Sequence, residues 1–325
     1  MRVVYDLAQA GLRSPCSEGT GRGYVTIGVF DGVHRGHQRL ITEMVEAAHS
    51  TNSVAIALTF DPHPAAALGR EPKPLPLLMT MEERAELLAT LGLDLLVVLP
   101  FTSATARTPA TDFVEAFMSH LCLTELWVGH DFALGYRREG NVSFLRRLGA
   151  ARGFTVRVVE PLAWGGAPVN SSRVRAALRA GDIHQATGCL GRPYRLAGIV
   201  VHGDGRGGGI SVPTANLSPL PERLVPAGGV YACLAHTERL ETHPAVVNIG
   251  ARPTFAGVSD SQELTVEAHL LDFDADLYGQ TLALDFIARL RDERTFPTAS
   301  ALVAQIHKDI AQAQVVLGVE PSSTG

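Results

Sequence analysis

Cysteine is scarce and scattered. The four residues Cys16, Cys122, Cys189 and Cys233 form no CxxC pair. That spacing argues against a zinc site or a dithiol redox centre, and reduced structural thiols are expected. Long apolar runs are also missing. The start, MRVVYDLAQAG, is a poor signal peptide. The most apolar stretch, LLATLGLDLLVVLPF, is broken by Asp94 and Pro100 and reads as helix, turn and strand rather than a membrane span. A cytoplasmic protein with no membrane partner is expected. Basic excess is lacking: the formal net charge is −5, which argues against a nucleic-acid partner. No GxxxxGK[ST] loop occurs, and no GxGxxG follows the first strand-like run, so neither a P-loop nor a dinucleotide-binding turn is supported.

What is present is apolar bulk in two rhythms. With 325 residues, 46% of them hydrophobic, the chain is too long for one ordinary core. Two domains are expected, 1–185 and 186–325. In the first, YVTIGVF, SVAIALTF, LDLLVVLP, LTELWVGH and FTVRVVE read as buried strands. Helix-like segments lie near 37–48, 80–91, 111–121 and 142–152. This alternation predicts an α/β fold with a doubly wound parallel sheet, whose ligands sit beyond the carboxyl ends of the strands. After about Gly181 the strand-like runs YRLAGIVVHG, GGVYACLAH, HPAVVNIG, ELTVEAHLLDF and LALDFIARL are separated by Gly- and Pro-rich turns. They predict a small antiparallel β-barrel. Leu302, Ile306 and Ile310 share helical spacing and predict a terminal helix. No heptad pattern stands out, so a monomer or weak oligomer is expected.

Two clusters carry chemistry. In TIGVFDGVHRGHQRLI, 26–41, an apolar run ends in a bend and an amphipathic segment follows. His34 and His37, three residues apart near a helix start, fall on roughly one face. A helix N-terminus offers free N–H groups and a positive dipole end, which suit phosphate. Gly32 and Gly36 allow close backbone approach. The alternatives are two surface histidines on a turn, or an HxxH metal pair with His63 available. The second cluster is HGDGRGGGISVPTANL, 202–217. Its glycine loop could cradle phosphate. Thr214 and Asn216, two apart in extended backbone, point the same way and offer hard oxygen ligands for Mg²⁺. The alternative is a turn with local caps.

GVFDGVHRGHQRLI resembles the HxGH signature of nucleotidylyltransferases, in the GxFDGxHxGH form of bacterial FAD synthetases. TFDPHP (59–64), VGHDFALGYRREG (128–140) and NSSRVRAAL (170–178) resemble further segments of that family, in the same order. GDGRG, PTAN, GVYA, NIGARPTF, VEAHLLDF, LYG and RDERTF follow the order seen in riboflavin kinases, over nearly all of 190–315. The resemblance implies a bifunctional enzyme that uses ATP and Mg²⁺ to phosphorylate riboflavin to FMN in its second domain, and then transfers AMP to FMN, giving FAD, in its first. It implies that His34 and His37 hold ATP phosphates within a site formed by Gly28, Phe30, Asp31, Gly32 and Gly36. Ser171, Ser172 and Arg175 would close on those phosphates. Asp131 and Phe132 would line the flavin or nucleotide pocket, with His63 near the nucleotide. In the second domain it implies Glu267 as general base, and a cofactor site from Gly203, Gly205, Arg206, Gly207, Thr214, Asn216 and Arg291, with Thr214 and Asn216 on the metal.

The match has departures. Asn170 and Ser172 stand where the family has serine and threonine, so retuned binding is expected. Ser211 and Val212 replace glycine and phenylalanine, which predicts a looser loop and weaker kinase affinity. Two rival readings follow: one live activity only, or a flavin-binding regulator without turnover. Aminoacyl-tRNA synthetases carry a related histidine motif, but no KMSKS-like segment is present.

Overall fold

The computed structural model describes residues 1–11, 22–67, 75–202, 213–237, 242–251 and 264–319. The loop residues Gly203, Gly205, Arg206 and Gly207, with Ser211 and Val212, lie outside them. The chain divides into two compact units, Met1–Ser171 and Ser172–Gly325.

The first unit holds a six-stranded, all-parallel sheet. Its strands are β1 (Arg2–Val4), β2 (Gly23–Ile27), β3 (Val54–Asp61), β4 (Leu95–Pro100), β5 (Leu123–Gly129) and β6 (Thr155–Val159). They lie in the order β1-β4-β3-β2-β5-β6. Helices α1 (Arg35–Ser50), α2 (Met81–Thr90), α3 (Ala110–Leu121) and α4 (Val142–Arg152) connect them. Alternation along each strand builds two cores. Ile56 and Leu58 pack on the face covered by Val114 and Phe117 of α3. Ala55 and Ala57 pack on the other, against Ile41 and Met44 of α1 and Leu88 of α2. The chain leaves β2 for β3 on one side, yet β5 flanks β2 on the other. The carboxyl end of β2 is therefore the switch point where such sheets bind ligands, and FDGVHRGH occupies it.

The second unit opens with α5 (Ser171–Ala180) and α6 (Ile183–Leu190), then forms β7 (Tyr194–Val201), β8 (Ala215–Pro219), β9 (Gly229–His236), β10 (His243–Ala251), β11 (Leu264–Leu270) and β12 (Thr281–Arg291). These close into an antiparallel barrel ordered β7-β8-β11-β10-β9-β12. The terminal helix α7 (Ala299–Leu317) follows, and its Ala313 packs on Val230, Ala232 and Val246 of the barrel wall. An ion pair on a buried carboxylate locks it there. Arg291 of β12 grips Asp309 of α7, with Nε 3.0 Å from Oδ1 and Nη2 2.8 Å from Oδ2. Gln305 donates to the same carboxylate at 2.9 Å. Asp309→Ala leaves a half-buried guanidinium without its carboxylate, so a loss of about 2 kcal/mol is expected, measured by denaturant unfolding of the second unit's signal.

No helix among the described residues is long and apolar enough to cross a membrane. The cysteine expectation needs correction. Cys189 and Cys233 are buried and free, and burial, with Asp285 nearby, pushes the Cys233 thiol well up. Cys122, however, is disulfide-bonded, its partner lying outside the described residues. Sequence separation could not show this, because a disulfide requires Cα atoms within about 7 Å in space.

Candidate functional site

The first site is built on the helix start. His34 is the N-cap of α1, and its Nδ1 accepts from the backbone N–H of His37 at 3.3 Å. That bond leaves the proton of a neutral His34 ring on Nε2. The two imidazoles stack with centroids 3.6 Å apart and planes 19° from parallel. Gly36 permits this, since a Cβ there would lie 3.2 Å from the His34 ring. Burial, then His34, then Arg84 hold the His37 pKa well below its ordinary value. The neutral His37 ring can therefore stack on His34 without charge repulsion, and each ring keeps an N–H to donate. Among the described residues, the buried Nδ1 of His37 has no hydrogen-bond partner.

The rest of the motif is scaffold around that pair. Phe30 is 1% exposed, adopts φ +52°, and turns its ring edge-on to His37 at 5.2 Å. Gly28 makes room for it, because a Cβ would fall 2.8 Å from the Phe30 ring. The buried Asp31 carboxylate accepts from the Leu78 backbone N–H at 3.0 and 3.2 Å, and its carbonyl accepts from the Ser171 hydroxyl at 2.8 Å. Gly32 takes the left-handed turn, φ +83°. The structure thus brings Gly28, Phe30, Asp31, Gly32, His34, Gly36, His37 and Ser171 together.

The other residues expected in the first site are more dispersed. His63 lies after β3, its Nδ1 accepting from Ala65 at 3.0 Å. Phe132 packs against the sheet core. Asp131 keeps its side chain 84% exposed, while its carbonyl accepts from Arg138 at 3.0 Å. Ser172 is exposed and Arg175 buried on α5, in the second unit.

Sequence reasoning missed Arg84. This guanidinium is only 3% exposed, and its Nη1 donates to Thr59 at 3.3 Å. Burial lowers its pKa, opposed first by Asp31 and then by Asp61 and Glu82. The available signal was its position four residues before Leu88, on the buried stripe of α2.

The second site lies on the barrel wall. Asn216 of β8 pairs in register with Glu267 of β11, and Glu267 pairs in turn with Asn248 of β10. Directly paired residues on adjacent strands share a face, so the three form one row, each half-buried. Asn248 had not been singled out. Thr214, exposed just before β8, lines a cleft of about 160 Å³ with Pro213, Ala215, Asp274, Asp276 and Tyr278. Tyr278 stacks on His202 at 3.8 Å. His269 faces Pro213, its Nδ1 lying 2.8 Å from that carbonyl. The Thr214 hydroxyl and Asn216 amide oxygen are hard donors, and a pair of such ligands suits Mg²⁺, which keeps waters and phosphate oxygens as its remaining ligands. Arg291, expected at the cofactor, has its guanidinium on Asp309 instead.

Two family models cover most of the chain: FAD synthetase matches residues 17–173 and riboflavin kinase residues 190–317. The chain belongs to the bifunctional riboflavin kinase/FMN adenylyltransferase family. The proteins of that name from Escherichia coli K12 and Pseudomonas fluorescens are similar to it. The first is 34% identical over 320 residues, 98% of each chain. The second is 36% identical over 292 residues, 90% of this chain and 92% of the relative. A solved structure described as a macrolide-efflux protein from Streptococcus pneumoniae superposes with TM-score 0.84 at 28% identity, covering 96% of this chain and 98% of that one. It shares both folds.

Proposed function

We propose the following residue-level account of how this family member performs two ATP-dependent steps. In the second unit, Glu267 accepts the proton of the riboflavin 5′-hydroxyl as that oxygen attacks the γ-phosphorus of ATP, giving FMN and ADP. Thr214 and Asn216 would hold Mg²⁺, whose charge offsets that of the phosphate oxygens. The cleft beside Thr214, walled by Tyr278, receives the nucleotide. Gly203, Gly205, Arg206 and Gly207 contribute the phosphate-binding loop.

In the first unit, the FMN phosphate attacks the α-phosphorus of a second ATP. The bond to pyrophosphate breaks and FAD forms. No side chain acts as nucleophile. The N–H groups of His34 and His37 stabilise charge growing on the phosphate oxygens, helped by the free N–H groups and dipole of α1. Ser171 lies beside them through Asp31, and we also assign phosphate binding to Ser172 and Arg175. His63, Asp131 and Phe132 serve the flavin or nucleotide pocket. The chain works in the cytoplasm as a monomer or weak oligomer, without nucleic acid or membrane.

The observation that carries this reading is the stacked histidine pair at the switch point of the sheet. The test incubates the chain with riboflavin, ATP and Mg²⁺ and separates flavins over time. FMN first and FAD afterwards is the expected result. FMN that accumulates, with added FMN inert, reduces the chain to a kinase. No new flavin from folded protein overturns the enzyme reading in favour of a regulator.

A further inference from the structure

The row on the barrel wall has a member that neither the metal nor the base accounts for. Asn248 stands beside Glu267 on the side opposite Asn216. Among the described residues, none of these three side chains makes a hydrogen bond or ion pair. Three adjacent, half-buried polar groups with no partner inside the fold present a polar strip that a ligand can engage.

We infer that Asn248 is a further substrate-positioning residue of the kinase site, binding the secondary hydroxyls of riboflavin's polyol chain. This rests on the kinase reading above. In an in-line displacement the attacking and leaving oxygens lie on opposite sides of the phosphorus. Thr214 and Asn216 mark the phosphate side of Glu267, so the alcohol arrives from the β10 side, where Asn248 stands. Its amide both donates and accepts, which matches a hydroxyl chain and not an apolar ring face. A second polar group stands beside it. Gly250 follows two residues on, along the same face. A Cβ there would fall 2.7 Å from Glu293 Oε1 and 3.5 Å from Asn248 Nδ2. The absent side chain lets the Glu293 carboxylate lie against the backbone next to the Asn248 amide, two polar groups suited to hydroxyls.

The test measures FMN formation by Asn248→Leu and Asn248→Asp, varying riboflavin and ATP separately. A lost hydrogen bond to substrate should raise the riboflavin KM of the leucine variant about tenfold, while the ATP KM stays put and reports an intact unit. The aspartate variant, which keeps an acceptor, should lose less. A flavin analogue that retains the terminal hydroxyl but lacks the secondary ones should be used equally well by wild type and Asn248→Leu. An equal loss on riboflavin and analogue, or an ATP KM that rises in step, would overturn the inference. Glu267→Gln run in parallel separates it from its foundation. If that variant still makes FMN, Glu267 is not the base, the row is not the kinase's reacting centre, and the inference falls with that assignment. If that variant is inactive and Asn248→Leu keeps the wild-type riboflavin KM, the inference alone falls.

Discussion

His37→Ala should cut FAD formation from added FMN by about 10²- to 10³-fold, the usual cost of removing a donor aimed at transition-state charge, and leave riboflavin phosphorylation unchanged. The loss should appear in kcat, because the donor matters most when charge builds on the phosphate. The same substitution has a signature in stability. In the folded chain burial, His34 and Arg84 keep the ring neutral well below its ordinary 6.5. Once unfolded, it takes a proton below about pH 6.5. Between that pH and the depressed folded value the unfolded state binds more protons, so His37 weakens the fold as pH falls and has no such effect above about 6.5. The alanine variant should therefore lose less stability on acidification than wild type. Denaturant midpoints compared at pH 7.5 and 5.5 test it, and identical slopes would show that the ring is protonated in place.

The second large effect is the mirror image. Glu267→Gln should reduce FMN formation about 10²- to 10⁴-fold, the range lost with a general base, while FAD formation from added FMN continues. Glutamine keeps the length and register of the side chain between Asn216 and Asn248 and removes only the ability to take a proton. Chromatography of flavins with riboflavin, and then with FMN, as substrate gives both numbers from one preparation. A variant that still phosphorylates riboflavin at near wild-type rate would mean that the 5′-hydroxyl loses its proton elsewhere.

Much of this architecture can be read from the chain. The five longer strands of the first unit, β2 to β6, are the apolar runs read from the sequence. The apolar stripes of α1 to α4 follow from helical period. Where the sequence misleads, the cause is spatial. β1 is three residues long and is a strand only because β4 pairs with it. β8 begins within PTAN, at Ala215, so local chemistry suggests a turn while two neighbouring strands make it part of the wall. Arg84 looks like an ordinary helix-surface charge until Thr59 and the histidine site are found beneath it. Arg291 lies in a charge run that promises solvent or ligand. Its partner Asp309, 18 residues on, is reached only after the chain has turned into α7. The histidine pair was legible because its spacing is local. The Asn216–Glu267–Asn248 row was legible only in part, since it crosses three strands, and β8 is separated in sequence from β10 and β11 by another strand.

That row also makes the kinase activity a gauge of assembly. Side chains alternate faces along a strand, so a slip of one residue in β11 would turn Glu267 into the barrel and bring Val266 or Ala268 out in its place. On the role proposed for Glu267, catalysis requires β8, β11 and β10 to be joined in the correct register. A variant or refolding condition that yields secondary structure without FMN formation can thus be diagnosed as misregistered, a fault that spectroscopy of strand content alone would pass over.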